Sequence, residues 1–304
     1  MVRDFSYPSC GAGLIRARCW EPEAEPVGVV QLVHGIAEHI ERYDAFATYL
    51  NHLGYVVVGQ DHMGHGQSCE STMARGYFVG GWFAAVDDTY QLLHTTMQRY
   101  PGIPYFVFGH SMGSFLTRTI LAKYPDSGIS GAIICGTGWM SEFVLALGKF
   151  TASMVCRLNG EYRPSDFLQK LMFGSYNNRI ENPRTVFDWL STENEVVDAY
   201  IADPLCGFVA SAGLCRDMLT GLRYIQKQST LQQMNPKTPV FFIAGAVDPV
   251  GNYGEGVLRT ASEFRKVGMQ SVSEKLYPLG RHEILNEFNK QEVYSDIVNW
   301  IQTL

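Results

Sequence analysis

A serine lies between two glycines in Gly109-His110-Ser111-Met112-Gly113, where the apolar run Tyr105–Phe108 gives way to a helical pattern. A hydroxyl on so sharp a strand-to-helix turn is held clear of the sheet, at a helix N-terminus. There, free backbone N–H groups and the helix dipole favour negative charge. Small residues two before and two after the serine are what such a strained turn needs. The pattern makes Ser111 a candidate nucleophile for acyl transfer. Five residues alone also fit a plain turn with a capping serine, and it is the flanking strand and helix that argue for chemistry.

A serine needs a base, and the base needs a carboxylate to orient it. Asp248 ends the apolar run of PVFFIAGAVD, and His282 follows SEKLYPLG in GRHEIL. Both fall where later strands end, in the chain order serine, acid, histidine. His282 is expected to take the Ser111 proton and Asp248 to fix the histidine tautomer, assistance worth about 10²–10⁴ in rate. Asp248 also reads as a turn-forming Asp-Pro, and His282 as a helix-entry residue; it is their joint placement that carries weight. An oxyanion needs two donors. The backbone N–H of Met112, after the nucleophile, is one candidate; that of Ile36 in VHGIAEH is the other.

The remaining histidines compete for the base role. His110 adjoins the nucleophile and is expected to point elsewhere. His34, His39, His62 and His65 fall in loops after early strands. His62 and His65 are three apart in a glycine loop, which is poor evidence for a metal site, so no metal and no cofactor are expected.

The elements that must position these groups are legible. Two alternating segments near Asp4–Tyr7 and Gly13–Trp20 read as an edge hairpin. Buried strands are expected in PVGVVQLVHG, YVVVGQ, YFVFGH, GISGAIICGTG, TPVFFIAGAVD and SVSEKLYPLG. Helical patterns lie between them, with the last predicted over Asn286–Thr303. Continuous apolar strands alternating with helices predict an α/β fold with a mostly parallel central sheet covered on both faces. The alternation breaks from Trp139 to about Gln233. The expected organisation is a core of residues 1–138 and 234–304 carrying a helical cap, residues 139–233.

With these pieces in place, the sequence resembles the α/β-hydrolase superfamily. It is most similar to the monoacylglycerol lipase and lysophospholipase-like branch, grouped with the serine aminopeptidase-type hydrolases. The stretches that carry the resemblance are HGIAEHIERYDAFATYLNHLGYVVVGQDHMGHGQS, GHSMGS, DWLSTENEVVDAYIADPLCGF, AGAVDPV and GRHEILNE, together spread over nearly the whole chain. The resemblance implies a catalytic triad of Ser111, Asp248 and His282, with Ile36 and Met112 as oxyanion donors. Ser114 departs from the branch, which most often has glycine there, and slightly crowds the elbow helix. The loop Asp61–Ser68 reads as structural, with Asp61 and Ser68 bonding backbone.

In the cap, Met140, Phe143, Leu147, Phe150 and Met154 recur at helical spacing. Met140, Phe143 and Leu147 are expected to line an acyl slot, which the scarcity of Lys and Arg favours over a membrane-surface helix. The implied activity is that of a serine ester hydrolase (EC 3.1.1), acting on an ester with a single acyl chain, such as a monoacylglycerol or lysophospholipid. A short soluble ester, a thioester or an aminoacyl arylamide is the alternative substrate. A receptor or adhesion scaffold is the non-enzymatic alternative, and such proteins often lack a triad member.

Composition agrees. A net charge of −6 over 304 residues argues against a nucleic-acid partner and against strong attraction to anionic lipid, leaving at most transient membrane-surface contact. The N-terminus lacks a signal-peptide core and no run is long enough to span a bilayer. Seven scattered cysteines without C-x-x-C spacing fit free thiols and a cytoplasmic location.

Overall fold

β-Branched and aromatic runs form the strands β3 (Gly28–Val33), β4 (Tyr55–Gln60), β5 (Tyr105–His110), β6 (Gly131–Cys135) and β7 (Val240–Gly245), each buried along its whole length. They are preceded by the hairpin β1 (Val2–Pro8) and β2 (Leu14–Trp20) and followed by β8 (Val272–Tyr277). The structure is a computed structural model describing residues 1–69 and 75–304. Its eight described strands make one sheet in the order β1-β2-β4-β3-β5-β6-β7-β8. The hairpin pairs antiparallel, with Phe5 opposite Ala17, and β2 meets β4 antiparallel; every other pairing is parallel.

The continuous apolar strands follow from burial on both faces. Val29 and Val33 of β3 enter one core, while Val30 and Leu32, one residue out of phase, enter the other. The first core is covered by α2 (Gly81–Arg99), α3 (Met112–Lys123) and α9 (Glu255–Lys266) through Trp82, Leu116 and Phe264. The second is covered by α1 (Asp44–His52) and α10 (Lys290–Ile301) through Phe46, Leu50 and Ile297.

Between β6 and β7 the described elements are helical: α4 (Glu142–Asn159), α5 (Asp166–Phe173), α6 (Asn194–Ala202), α7 (Ala212–Ile225) and α8 (Gln228–Leu231). α4 buries Leu145 and Ala152 as it packs on α7, and α7 in turn packs on α2 and α3. Ser141 and Ser211 start α4 and α7 by accepting the backbone N–H three residues on.

The last helix starts later than its pattern suggests, at Lys290 rather than Asn286. The Glu287 carboxylate accepts the backbone N–H groups of Arg281 and Thr192, and Ile284–Asn286 forms a 3-10 turn. Those tertiary bonds hold residues 281–287 as a loop, out of the helix.

Candidate active site

The elbow is built as its composition requires. Ser111 has φ 53° and ψ −120°, a conformation seldom adopted by a residue with a side chain. The turn closes because its neighbours lack Cβ atoms. A Cβ on Gly109 would lie 2.3 Å from Thr117 Oγ1, and one on Gly113 only 2.0 Å from the Val33 carbonyl oxygen. The Ser111 N–H donates to the Cys135 carbonyl at 3.0 Å, tying the turn to the end of β6. Ser114, the departure from the branch pattern, donates its hydroxyl to the Ser111 carbonyl at 2.6 Å. It therefore supports the turn rather than crowding it.

Asp248 and His282 meet after β7 and β8. His282 Nδ1 lies 2.9 Å from Asp248 Oδ2, and both side chains are buried. The other Asp248 oxygen accepts the Val250 N–H at 2.8 Å. A carboxylate can only accept, so the pair places the imidazole proton on Nδ1 and leaves the Nε2 lone pair available. The His282 ring packs on Trp189, with centroids 5.1 Å apart. The Glu283 N–H donates to the Leu190 carbonyl at 2.7 Å. The histidine loop is thus held from the helical segment as well as from the sheet.

A buried charge network lies beneath, unassigned by the sequence reading although its first member sits in the motif H-G-x-x-E-H. Glu38 Oε1 accepts the Gly35 N–H at 2.6 Å, the Tyr43 hydroxyl at 3.0 Å and His110 Nδ1 at 3.1 Å. Arg42 donates to Glu38 at 2.8 Å and bridges both oxygens of Glu283 at 2.8 and 2.7 Å. Burial opposes charge on Glu38, but the His110 hydrogen bond and the His110 and Arg42 charges outweigh it and hold the carboxyl well below its usual range. Burial likewise opposes charge on His110, and Glu38 reverses it, raising the imidazole above its usual value. His110 Nε2 lies 3.2 Å from the His282 carbonyl oxygen. Both ring nitrogens of His110 are thus engaged, one by Glu38 and the other by the His282 backbone, although the ring also borders the cavity that Ser111 faces.

Gly35, Ile36, Ser111 and His282 face one cavity of about 790 Å³. Its apolar wall comes from Phe173, Phe187, Trp189, Leu190, Phe208 and Val209, with Asp166, Lys170 and Arg184 adding charge. Ile36 belongs to this wall; Met112 is fully buried as the first residue of α3, where its N–H has no helical carbonyl to meet.

Met140, Phe143 and Leu147, the expected acyl slot, lie elsewhere than this cavity and are 40, 75 and 54 % exposed. The stripe is real, but α4 turns the opposite face, with Leu145 and Ala152, onto α7. Helical periodicity identifies an apolar stripe without saying which partner it meets. The apolar wall instead comes from residues 166–210, including the stretch DWLSTENEVVDAYIADPLCGF, one of those that carry the resemblance to the branch.

His34, His62 and His65 cluster, with ring centroids 4.1 Å apart for His34 and His62. Burial pushes all three below the usual value of 6.5, His62 to about 3 and His65 to about 4. His34 Nε2 accepts the His62 N–H at 3.0 Å, and its Nδ1 donates to the Gly35 carbonyl at 2.7 Å. These neutral rings brace the loop that carries Ile36. Asp61 accepts the backbone N–H groups of Ile40 and Gln67, and Ser68 donates to the Asp61 carbonyl, in keeping with a structural loop.

The sequence matches a known family. The model of the family described as Serine aminopeptidase, S33 matches residues 24–289. The chain belongs to this family. It is 29 % identical over 303 residues to a monoacylglycerol lipase of Mycolicibacterium smegmatis, covering 98 % of this chain and 96 % of that one. It is 28 % identical to the human monoglyceride lipase over 294 residues, covering 93 % of this chain and 85 % of the relative. A thermostable carboxyl esterase from Bacillus coagulans, solved in complex with glycerol, superposes with a TM-score of 0.92 at 29 % identity, over 99 % of this chain and 98 % of that one. The fold of the S33 chain is the α/β-hydrolase fold, and these relatives support an ester hydrolase. No helix of the described residues is long and apolar enough to cross a membrane.

Proposed function

We propose that this chain is a serine hydrolase that cleaves carboxylic esters carrying a single acyl chain, of monoacylglycerol or lysophospholipid type, through an acyl-enzyme. The observation that carries the reading is that His282, held by the buried Asp248 carboxylate, and strained Ser111 face one largely apolar cavity. Ser111 Oγ attacks the ester carbonyl while His282 Nε2 takes its proton. Asp248 holds the ring and stabilises the imidazolium. The tetrahedral oxyanion is stabilised by the N–H groups of Ile36 and Met112, a donor of this kind being worth about 10²–10³ in rate. His282 then returns the proton to the leaving alcohol, and water releases the acid by the same route.

The core of residues 1–138 and 234–304 supplies the chemistry in this reading, and the helical segment 139–233 acts as a cap that sets specificity. A cavity of this size, with apolar walls and a few charged groups, fits an acyl chain with a polar head better than an acetyl group. The test is an active-site phosphonate probe on purified protein, together with hydrolysis of esters from acetyl to palmitoyl. Labelling of the wild type but not of Ser111→Ala, with a medium- or long-chain optimum, is expected. Equal labelling of both proteins removes the nucleophile; a sharp preference for acetyl esters replaces the lipid-like substrate with a small soluble one.

A further inference from the structure

Outside the triad, one group of side chains brings three different metal-binding atoms together. His39, Asp203 and Cys206 each offer one ligand atom, and the three lie within 4.8 Å of one another. His39 Nε2 is 2.8 Å from Asp203 Oδ2, across 164 positions of sequence. His39 and Cys206 are buried, while the Asp203 side chain is 29 % exposed, which leaves a path from solvent. We propose that His39, Asp203 and Cys206 form a binding site for a borderline-soft divalent cation of the zinc class, joining the segment after α6 to the loop that carries Ile36.

The donor set fits the cation. Nitrogen, carboxylate oxygen and thiolate together suit zinc far better than calcium or magnesium, which take oxygen ligands. Bond lengths of about 2.0–2.3 Å put tetrahedral ligands about 3.3–3.8 Å apart. The three atoms reach that spacing by opening the His39–Asp203 contact by less than about 1 Å and drawing the Cys206 sulfur, within 4.8 Å of both, inward by no more than about 1.5 Å. Solvent completes the coordination on the exposed side of Asp203.

The surroundings also hold the ligands. Asp203 Oδ1 accepts the Leu205 N–H at 2.8 Å, and the Cys206 N–H donates to the Asp203 carbonyl at 3.0 Å, so one tight turn presents two ligands. The next residue, Gly207, donates its N–H to the Ala37 carbonyl at 2.9 Å, and the Tyr200 hydroxyl donates to the same oxygen at 2.9 Å. Two positive charges are near: Arg42, which Glu38 and Glu283 already neutralise, and Arg75, whose guanidinium donates to the Pro204 carbonyl at 2.8 Å. Binding forms a metal–sulfur bond and releases the thiol proton to solvent. The His39 proton moves from Nε2 to Nδ1, so one proton leaves per ion bound.

Cobalt(II) titration of the purified full chain, followed by absorption, tests the site. The expected result is a saturable thiolate-to-cobalt charge-transfer band at one ion per chain, displaced by zinc(II), with one proton released. Cys206→Ser loses the band, and zinc raises the melting temperature of the wild type but not of this variant. Asp203→Asn, which keeps a polar partner for His39, weakens affinity about tenfold or more. Cys10→Ser, at an exposed thiol remote from the cluster, keeps the band. Absence of a saturable band, its survival in Cys206→Ser, undiminished affinity in Asp203→Asn or its loss in Cys10→Ser overturns the proposal.

Discussion

The ring of His110 lies 4.6 Å, centroid to centroid, from that of His282, and its Nε2 reaches the His282 backbone carbonyl at 3.2 Å. The residue before the proposed nucleophile thus braces the residue proposed as the base. Glu38 continues the link to the Gly35 N–H, in the turn that precedes Ile36. Three separate chain segments, carrying the proposed nucleophile, base and oxyanion donor, share one buried network.

Removing the cation at its centre should be costly. Arg42→Met leaves Glu38 and Glu283 buried without their guanidinium, and losing one partner of a buried ion pair costs about 3–5 kcal/mol. Urea unfolding should show a loss of that size. A change below about 1 kcal/mol would mean that solvent reaches these carboxylates.

Asp248→Asn should lower kcat by about three to four orders of magnitude with a much smaller change in KM, since an amide can present its N–H to Nδ1 and stabilise the wrong tautomer. Steady-state kinetics on a chromogenic ester measures this. A fall of less than tenfold would remove Asp248 from the proposed triad.

Substitutions on the two apolar surfaces of the helical segment should separate. Val209→Trp narrows the cavity and should reduce palmitoyl relative to butyryl ester hydrolysis about tenfold or more. Phe143→Ser, on the exposed face of α4, should leave hydrolysis of a soluble butyryl ester unchanged. Chain-length profiles of both variants check the assignment, and the reverse pattern would return the acyl slot to α4.

The neutral histidines set a pH limit on stability. Folded His34, His62 and His65 titrate below the ordinary value of 6.5, so the unfolded chain binds more protons in the window below it. Stability should be complete above 6.5 and fall as the pH drops towards about 4, with each histidine contributing up to about 1.4 kcal/mol per pH unit. Melting temperatures measured from pH 7 to 5 should fall steadily, and His65→Gln should flatten the slope. A flat wild-type profile would show that these rings protonate freely in the folded protein.

Much of this architecture could be read from local pattern. Strand runs such as YVVVGQ and TPVFFIAGAVD are almost continuously apolar because both faces are covered, and the glycines around Ser111 are demanded by close contact, Gly109 with Thr117 of the following helix and Gly113 with the Val33 carbonyl of β3. The late start of α10 could not be read that way, because it depends on Glu287 bonding the distant Thr192.

The sequence by itself determined the order of elements, the elbow at Ser111 and the placement of Asp248 and His282 at strand ends, since each depends on neighbours a few residues away. Only the tertiary structure decided that the apolar stripe of α4 faces outward and that Phe173, Trp189 and Phe208 wall the cavity. It also decided that Glu38, Arg42, His110 and Glu283 share one buried network. Periodicity records which residues are apolar; whether they leave water and what they meet depends on how distant segments pack, and the pairing of charges across 241 positions, as between Arg42 and Glu283, has no local signature.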